Sequence, residues 1–271
     1  MANSITQKVN DNFDTAIEVG KAKINLQGKI QFDDVLIRDH RKDTLLLISQ
    51  IKLDLTELEN VLRGDYDFSS LHIISPELHL TTYQNEDLSN LKQFVNKLKR
   101  DSTKQPPSTS IAHLLVEEGI LILSNRQAGK TERFSSIEFA LTNVLLEEKE
   151  FSTSMDSMSL FLEDYDESVD LSGDINFTPS KIQLTSLNLN SSPFKLAGSL
   201  SLKYTELTSE ALRNSASIDL AIDHAELNTH LLPLSQGVKI PPTKIGLEGK
   251  VKGSFADLMA ELQLSLPGKS R

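Results

Sequence analysis

Strict alternation of apolar and polar residues runs through most of this chain, and that period of two admits little besides β-sheet. It is plainest in "KIGLEGKVKGSFADLMAELQLSL" (244–266), where Ile245, Leu247, Val251 and Phe255 fall on one face and Glu248, Lys250, Lys252 and Ser254 on the other. Earlier strands are predicted at "KINLQGKIQF", "VLIRDH", "TLLLISQIKLDL", "FSSLHIISPELHLTTY", "IAHLLVEEGILILSN" and "RFSSIEFALTNVLLEE". After Ser152 the alternation is almost continuous, through "MSLFLED", "SVDLSGDINF", "KIQLTSLNLN", "FKLAGSLSLKY" and "SIDLAID". Pro76 predicts a break or bulge in its strand, because proline cannot donate to a ladder.

Within this pattern an apolar-x-Gly-x-apolar motif recurs, centred on Gly28, Gly173, Gly198, Gly249 and Gly253, with each glycine on the apolar face. A glycine inside a strand marks a bulge, a bend or the close approach of another group. These five read as curvature positions in a sheet that curls around its own apolar face. Alternation alone leaves two possibilities open: a face filled by protein, as in a sandwich or small barrel, or an open apolar groove.

Helical signals are fewer. Leu58, Val61 and Leu62 in 55–64 have helical spacing, with Gly64 as a stop. The clearest helix is 87–100, "DLSNLKQFVNKLKR", with Leu88, Leu91, Val95 and Leu98 on one stripe and basic residues in its last turn. Short helical turns are expected in "TSEALRNS" and "NTHLLPL". The composition breaks once, at "DSTKQPPSTS" (101–110), a loop or linker. It separates an N-terminal α+β portion, 1–100, from a mostly β portion, 111–271. A long surface loop within one domain is the other reading of the same stretch.

The chemistry of catalysis is sparse. The six histidines, His40, His72, His79, His113, His224 and His230, form no pair at metal-binding helical spacing. His72 and His79, seven apart in one strand, are expected on opposite faces. Arg38, Asp39, His40, Arg41 and Asp43 crowd into "IRDHRKDTL", which reads as a solvated hairpin turn rather than an acid–base site. "EDYDES" (163–168) lacks the glycine and closing glutamate of a calcium loop. No phosphate loop, dinucleotide fingerprint or serine elbow is present. The chain therefore reads as non-enzymatic, without metal or cofactor. With 6% aromatic residues and no Trp it also lacks the platform of a sugar-binding face. Its absence of Cys removes disulfides and thiol chemistry.

A net charge of −10 argues against nucleic acid as a partner and against electrostatic docking on an anionic membrane surface. No run of apolar residues is long enough to span a bilayer, and the polar "MANSITQKVNDNF" is no signal peptide. Both ends read as cut, as in a segment of a longer chain that is truncated at its C-terminus.

Two stretches carry a resemblance to a known family. "IEVGKAKINLQGKIQFDDVLIRDHRKDTLLLISQIKLDLTELENVLRGDYDFSSLHIISPELHL" resembles the start of the TamB/AsmA-like family of bridge-like lipid transfer proteins. Gly28, Asp34-Val35, Ile37, Asp39 and Leu45-Leu46 fall on its pattern of a strand ending in Gly, then "DV-x-I-x-D", then an "LL" strand. "GLEGKVKGSFADLMAELQL" is similar to the recurring Gly-x-Val-x-Gly-Ser-Phe/Leu signature of that family.

The resemblance implies an elongated, twisted antiparallel sheet curled into a U-shaped groove, apolar inside and polar outside. It implies the N-terminal periplasmic part of a protein anchored in the inner membrane by a helix ahead of this segment, with "SITQKVNDNF" as a first periplasmic helix. The implied function is phospholipid transport between membranes or outer-membrane biogenesis, with an outer-membrane assembly protein as a possible partner and no catalytic residues. It favours the open groove over the filled core. The aliphatic face that would hold acyl chains comprises Leu171, Ile175, Phe177, Ile182, Leu184, Phe194, Leu196, Leu200, Leu202, Ile218, Leu220, Ile222, Leu247, Val251, Leu262 and Leu264. On this reading the glycines, Gly249 and Gly253 above all, leave curvature and room for an acyl chain. Two alternatives keep the same strands: a scaffold that pairs its sheet edge with strands of an outer-membrane protein, and a purely structural β-domain.

Overall fold

The computed structural model describes residues 16–25, 28–56, 66–98, 108–147, 149–205, 216–229, 243–254 and 256–266. The strands are β1 (Ala16–Ile24), β2 (Lys29–Arg38), β3 (Thr44–Leu55), β4 (Tyr66–Thr82), β5 (Thr109–Asn125), β6 (Lys130–Glu147) and β7 (Glu150–Leu162). They continue as β8 (Glu167–Thr178), β9 (Lys181–Ser191), β10 (Phe194–Lys203), β11 (Ser217–Asn228), β12 (Lys244–Ser254) and β13 (Asp257–Ser265). One α-helix, α1 (Asn90–Leu98), lies between β4 and β5. The fold is mainly β: one 13-stranded sheet in strict sequence order, β1 to β13, and not closed on itself.

The sheet is antiparallel in its hairpins but not throughout, since β4 and β5 run parallel. Their connection, 83–108, contains α1, and a parallel pair requires such a crossover because a tight turn reverses the chain. "KINLQGKIQF" is not one strand. β1 ends at Ile24, β2 begins at Lys29, and Gly28 sits in the hairpin turn between them with φ 79°. Gly28 is thus a turn glycine rather than a curvature position inside a strand. The expected helices at 1–15 and 55–64, the turns in "TSEALRNS" and "NTHLLPL", and most of the 101–110 linker lie outside the described residues.

Chain contacts divide the molecule into two compact units. Unit 1 holds the described residues of Met1–Glu148 with Ser159–Asp166, and so includes both sides of the 101–110 stretch. Unit 2 holds those of Lys149–Met158 and Glu167–Arg271.

In unit 1 a line of irregular backbone crosses neighbouring strands. Asp34, Ser75, Glu118 and Ser136 all adopt left-handed conformations, with φ between 49° and 56°. Gly20 lies against Asp34, whose Cβ would be 2.9 Å from a β-carbon at position 20. Each strand takes in an extra residue here, so its alternation restarts in the opposite phase. On β2 the apolar series changes from Ile30 and Phe32 to Val35 and Ile37. On β4 it changes from Leu71 and Ile73 to Leu78 and Leu80.

Two consequences follow on β4. The strand continues through Pro76, which pairs opposite Ile48, with left-handed Ser75 supplying the irregularity a proline needs. His72 and His79 also end on the same face, not on opposite ones, because the extra residue lies between them. His72 bonds Glu117 on β5 at 2.7 Å, and His79 bonds Glu77 at 2.7 Å.

Candidate functional site

The register of unit 2 sorts its side chains cleanly. Directly paired residues share a face, and the pairs run Phe177–Ile182, Ile175–Leu184, Leu184–Leu200, Leu200–Leu220 and Leu220–Val251. A second row runs Leu171–Leu189–Leu196–Ala225–Leu247–Leu264. Leu202 pairs with Ile182 and Ile218, Phe194 with Leu227, and Ile222 with Gly249, which in turn faces Leu262. Every predicted acyl-chain residue therefore lies on one face of β8–β13. The opposite face carries Asp170, Asn176, Gln183, Asn190, Lys195, Ser201, Asp219, Glu248, Lys250 and Lys252 in the intervening positions.

That apolar face is only partly covered. Leu187, Ile222 and Ala225 are buried, whereas most of the other apolar residues of β8–β12 are half-exposed and Leu258, Leu262 and Leu264 on β13 are exposed. Among the described residues the only substantial packing of a non-strand element on a strand occurs in unit 1: α1 on β4, and the short 3-10 turn Glu163–Tyr165 on β6. Sheet neighbours supply the rest of the cover. The face is continuous, aliphatic and without a second layer of described chain.

Ile245 lies on this face beside Leu247, as the alternation predicts, and Leu187, Leu189, Ala225 and Leu227 join it without having been predicted. Extra residues explain the miss. Ser186, left-handed at φ 52°, is inserted on β9, and the register of β11 shifts between Ile222 and Ala225. Counting by two from Leu184 or Ile222 therefore assigns the later residues to the wrong side. The phase change is visible in "LTSLNLN" (184–190), where leucines move from even Leu184 to odd Leu187 and Leu189.

The glycines fall into place around these insertions. Gly173 faces the Ser186 bulge, Gly198 pairs with Leu187 and Ile222, and Gly249 pairs with Ile222 and Leu262, so three of the five form one transverse line. Gly253 lies nearer the strand end, opposite Ile218 and Leu258. None of them leaves a hole. A β-carbon on Gly198, Gly249 or Gly253 would come within 2.1 Å of the carbonyl oxygen of Ala221, Glu261 or Asp257 respectively. On Gly173 it would meet Thr185 O at 2.8 Å. The space a side chain would fill is taken by the backbone of the next strand, so these residues admit strand approach and not a ligand. Gly173, Gly249 and Gly253 also have φ of 145°, 143° and 136°, which L-residues rarely adopt.

The polar cluster of 38–43 forms the β2–β3 hairpin turn, exposed at 40–43 as expected, but Asp39 is anchored in the interior of unit 1. Asp39 is buried at 5% exposure, and its carboxylate is fully engaged. Oδ1 accepts the Arg41 and Asp43 amides at 2.8 and 3.0 Å, and Oδ2 accepts Tyr83 Oη at 2.5 Å and Asn90 Nδ2 at 3.2 Å. Asn90 in turn donates to His79 O and accepts the Thr81 amide, which ties α1 to β4. The Tyr83 ring is held between two guanidinium groups, Arg41 at 4.5 Å and Arg126 at 4.7 Å from its centroid. Burial first, and then the neighbouring Asp39 and Asp43, push the Tyr83 hydroxyl far above its ordinary pKa. Burial raises Glu86, but hydrogen bonds from Gln93, His40 and Arg41 outweigh it and hold that carboxyl at about 2.

Tyr83 and Asn90 were not singled out in the sequence, since a lone Tyr and a lone Asn carry no signal there. All the polar groups of this knot find partners within it, which marks it as a clasp joining the β2–β3 turn, α1 and the β5–β6 turn. No group of His, Asp or Glu side chains among the described residues is arranged to hold a metal ion.

No family model matches this sequence, and no curated protein matches it.

Proposed function

We propose that unit 2 is a non-enzymatic lipid-binding surface, taking phospholipid acyl chains along the apolar face of β8–β13. The observation that carries this is the face itself: aliphatic, continuous across the paired strands, half-exposed, and backed by an equally continuous polar face. Uncovered apolar area on this scale marks an interaction surface. Leu, Ile and Val side chains offer no hydrogen bond to orient a polar ligand, which suits a hydrocarbon chain. Each methylene moved from water onto such a surface is worth about 0.8 kcal/mol. A uniform lining makes successive positions nearly equal in energy, so a chain can slide without any chemical step.

The resemblance to the TamB/AsmA-like family extends this reading to an envelope-spanning protein of phospholipid transport and outer-membrane biogenesis, acting on the periplasmic side of the inner membrane. The Gly249 and Gly253 stretch and the Asp34–Asp39 stretch support it. The test is organic extraction and native mass spectrometry of the purified protein. Co-purifying phospholipid that is lost in Leu200→Asp and Val251→Asp, with the fold retained, supports the proposal; a lipid-free protein under gentle conditions sinks it.

One observation favours a second reading. β13 stands last in the strand order, exposed along its length, and its far edge pairs with nothing among the described residues. Such an edge accepts another strand by main-chain hydrogen bonding. A scaffold for outer-membrane protein assembly would bind extended peptides there and be indifferent to lipid.

A further inference from the structure

The two edges of the strand order are built differently. β1, the first edge, carries features that blunt a strand against association. Lys21 and Lys23 stand along it, and Lys23 lies 3.6 Å from Asp33 on β2. Its pairing with β2 skips between Val19 and Lys21, where Gly20 meets left-handed Asp34. β13, the last edge, has none of these features. "DLMAELQLS" contains no Pro, Lys or Arg, and its register against β12 runs unshifted from Gly246–Ser265 to Ser254–Asp257. Every residue of the strand is exposed, Met259 at 75%. A regular, exposed edge rich in apolar residues is a template for another strand.

The residue order of β13 fits the strand to itself. Leu258, Ala260, Leu262 and Leu264 lie on the apolar face, and Asp257, Met259, Glu261 and Gln263 on the polar one. Antiparallel pairing of two copies about a twofold axis at Ala260 sets Ala260 opposite Ala260 and flanks it on both sides with a Leu258–Leu262 pair. On the polar face Asp257 then stands opposite Gln263, and Met259 opposite Glu261. No like charges meet directly, an arrangement that would be penalised. A register centred on Glu261 would set that carboxylate against its own copy. An axis perpendicular to the sheet is isologous and keeps both apolar faces on one side, so the aliphatic surface runs on from one copy to the next.

We propose that β13 is a dimerisation edge, pairing antiparallel with β13 of a second copy about a twofold axis at Ala260. The proposal stands on the edge alone and does not rest on lipid binding by unit 2.

The experiment is sedimentation equilibrium of the whole protein over a range of concentrations, with variants at Met259, which lies on the polar face and away from the acyl-chain residues. A reversible monomer–dimer equilibrium is expected. Met259→Glu should weaken it roughly tenfold, because two glutamates then face Glu261 across the axis, and Met259→Lys should strengthen it. Within one chain position 259 pairs with Lys252, so the glutamate leaves the β12–β13 hairpin intact. The chain has no Cys, so single-cysteine variants report the register. Ala260→Cys should form a disulfide with its own copy, whereas Leu258→Cys should do so only when mixed with Leu262→Cys. A protein that stays monomeric at every concentration, a dimer indifferent to the charge at position 259, or equal self-crosslinking of Ala260→Cys and Leu258→Cys overturns the proposal.

Discussion

The carbonyl oxygen of Glu261 lies 2.1 Å from where a β-carbon on Gly249 would stand. The same relationship holds between Gly198 and Ala221 and between Gly253 and Asp257. Glycine is needed at these points because adjacent backbones meet there, and any acyl chain must lie against the flanking leucines and valines instead.

Gly249→Ala should therefore destabilise the protein by about 1–3 kcal/mol through backbone strain alone, with the clash against Glu261 O added to it. Gly129 provides the control. It has φ 64° but nothing within 4 Å of its would-be β-carbon, so Gly129→Ala should cost about 1 kcal/mol. Urea denaturation midpoints of the two variants check the difference, and equal losses would show that close backbone approach at Gly249 is unimportant.

Tyr83→Phe should cost about 1–3 kcal/mol, because it leaves buried Asp39 one donor short while preserving the ring between Arg41 and Arg126. Tyr83→Leu should cost more, losing two cation–π contacts of about 0.5–1 kcal/mol each. Thermal unfolding of both variants, with Asn90→Ala as a third, tests whether the clasp behaves as a unit.

Glu86 predicts an acid response. Its folded pKa of about 2 lies below the ordinary 4.5, so the folded state binds a proton less readily than the unfolded chain. Its contribution is fully present above about pH 4.5 and is lost as pH falls towards 2. Melting temperature against pH should fall less steeply over this window in Glu86→Gln than in the wild type. Parallel curves would show that the contacts with Arg41, His40 and Gln93 do not couple to folding.

Much of this architecture is legible in the residues. Alternation located most strands, and the stripe of Leu91, Val95 and Leu98 located α1, because both periods follow directly from backbone geometry. Alternation fails where a strand takes in an extra residue. Ser75 and Ser186 look like any solvent-facing serine, yet each shifts the phase of everything after it, and so His79, Leu187 and Leu189 were misplaced or missed. The parallel β4–β5 pair depends on where the α1 connection returns the chain, which no local pattern reports. Asp39 looked like a solvated turn residue because its partners Tyr83 and Asn90 are distant in sequence.

The most direct test of the proposed lipid-binding role of the apolar face of unit 2 is photo-crosslinking from single sites on the two sides of its sheet. A photoreactive residue at Leu200, Leu220 or Val251 should capture phospholipid when the protein is expressed in a cell with an envelope, and one at Ser201, Asp219 or Lys252 should not. These positions alternate along the same strands and differ only in the face they occupy. Lipid captured equally from both sets, or from neither, would contradict the assignment of the apolar face of unit 2 as the lipid surface.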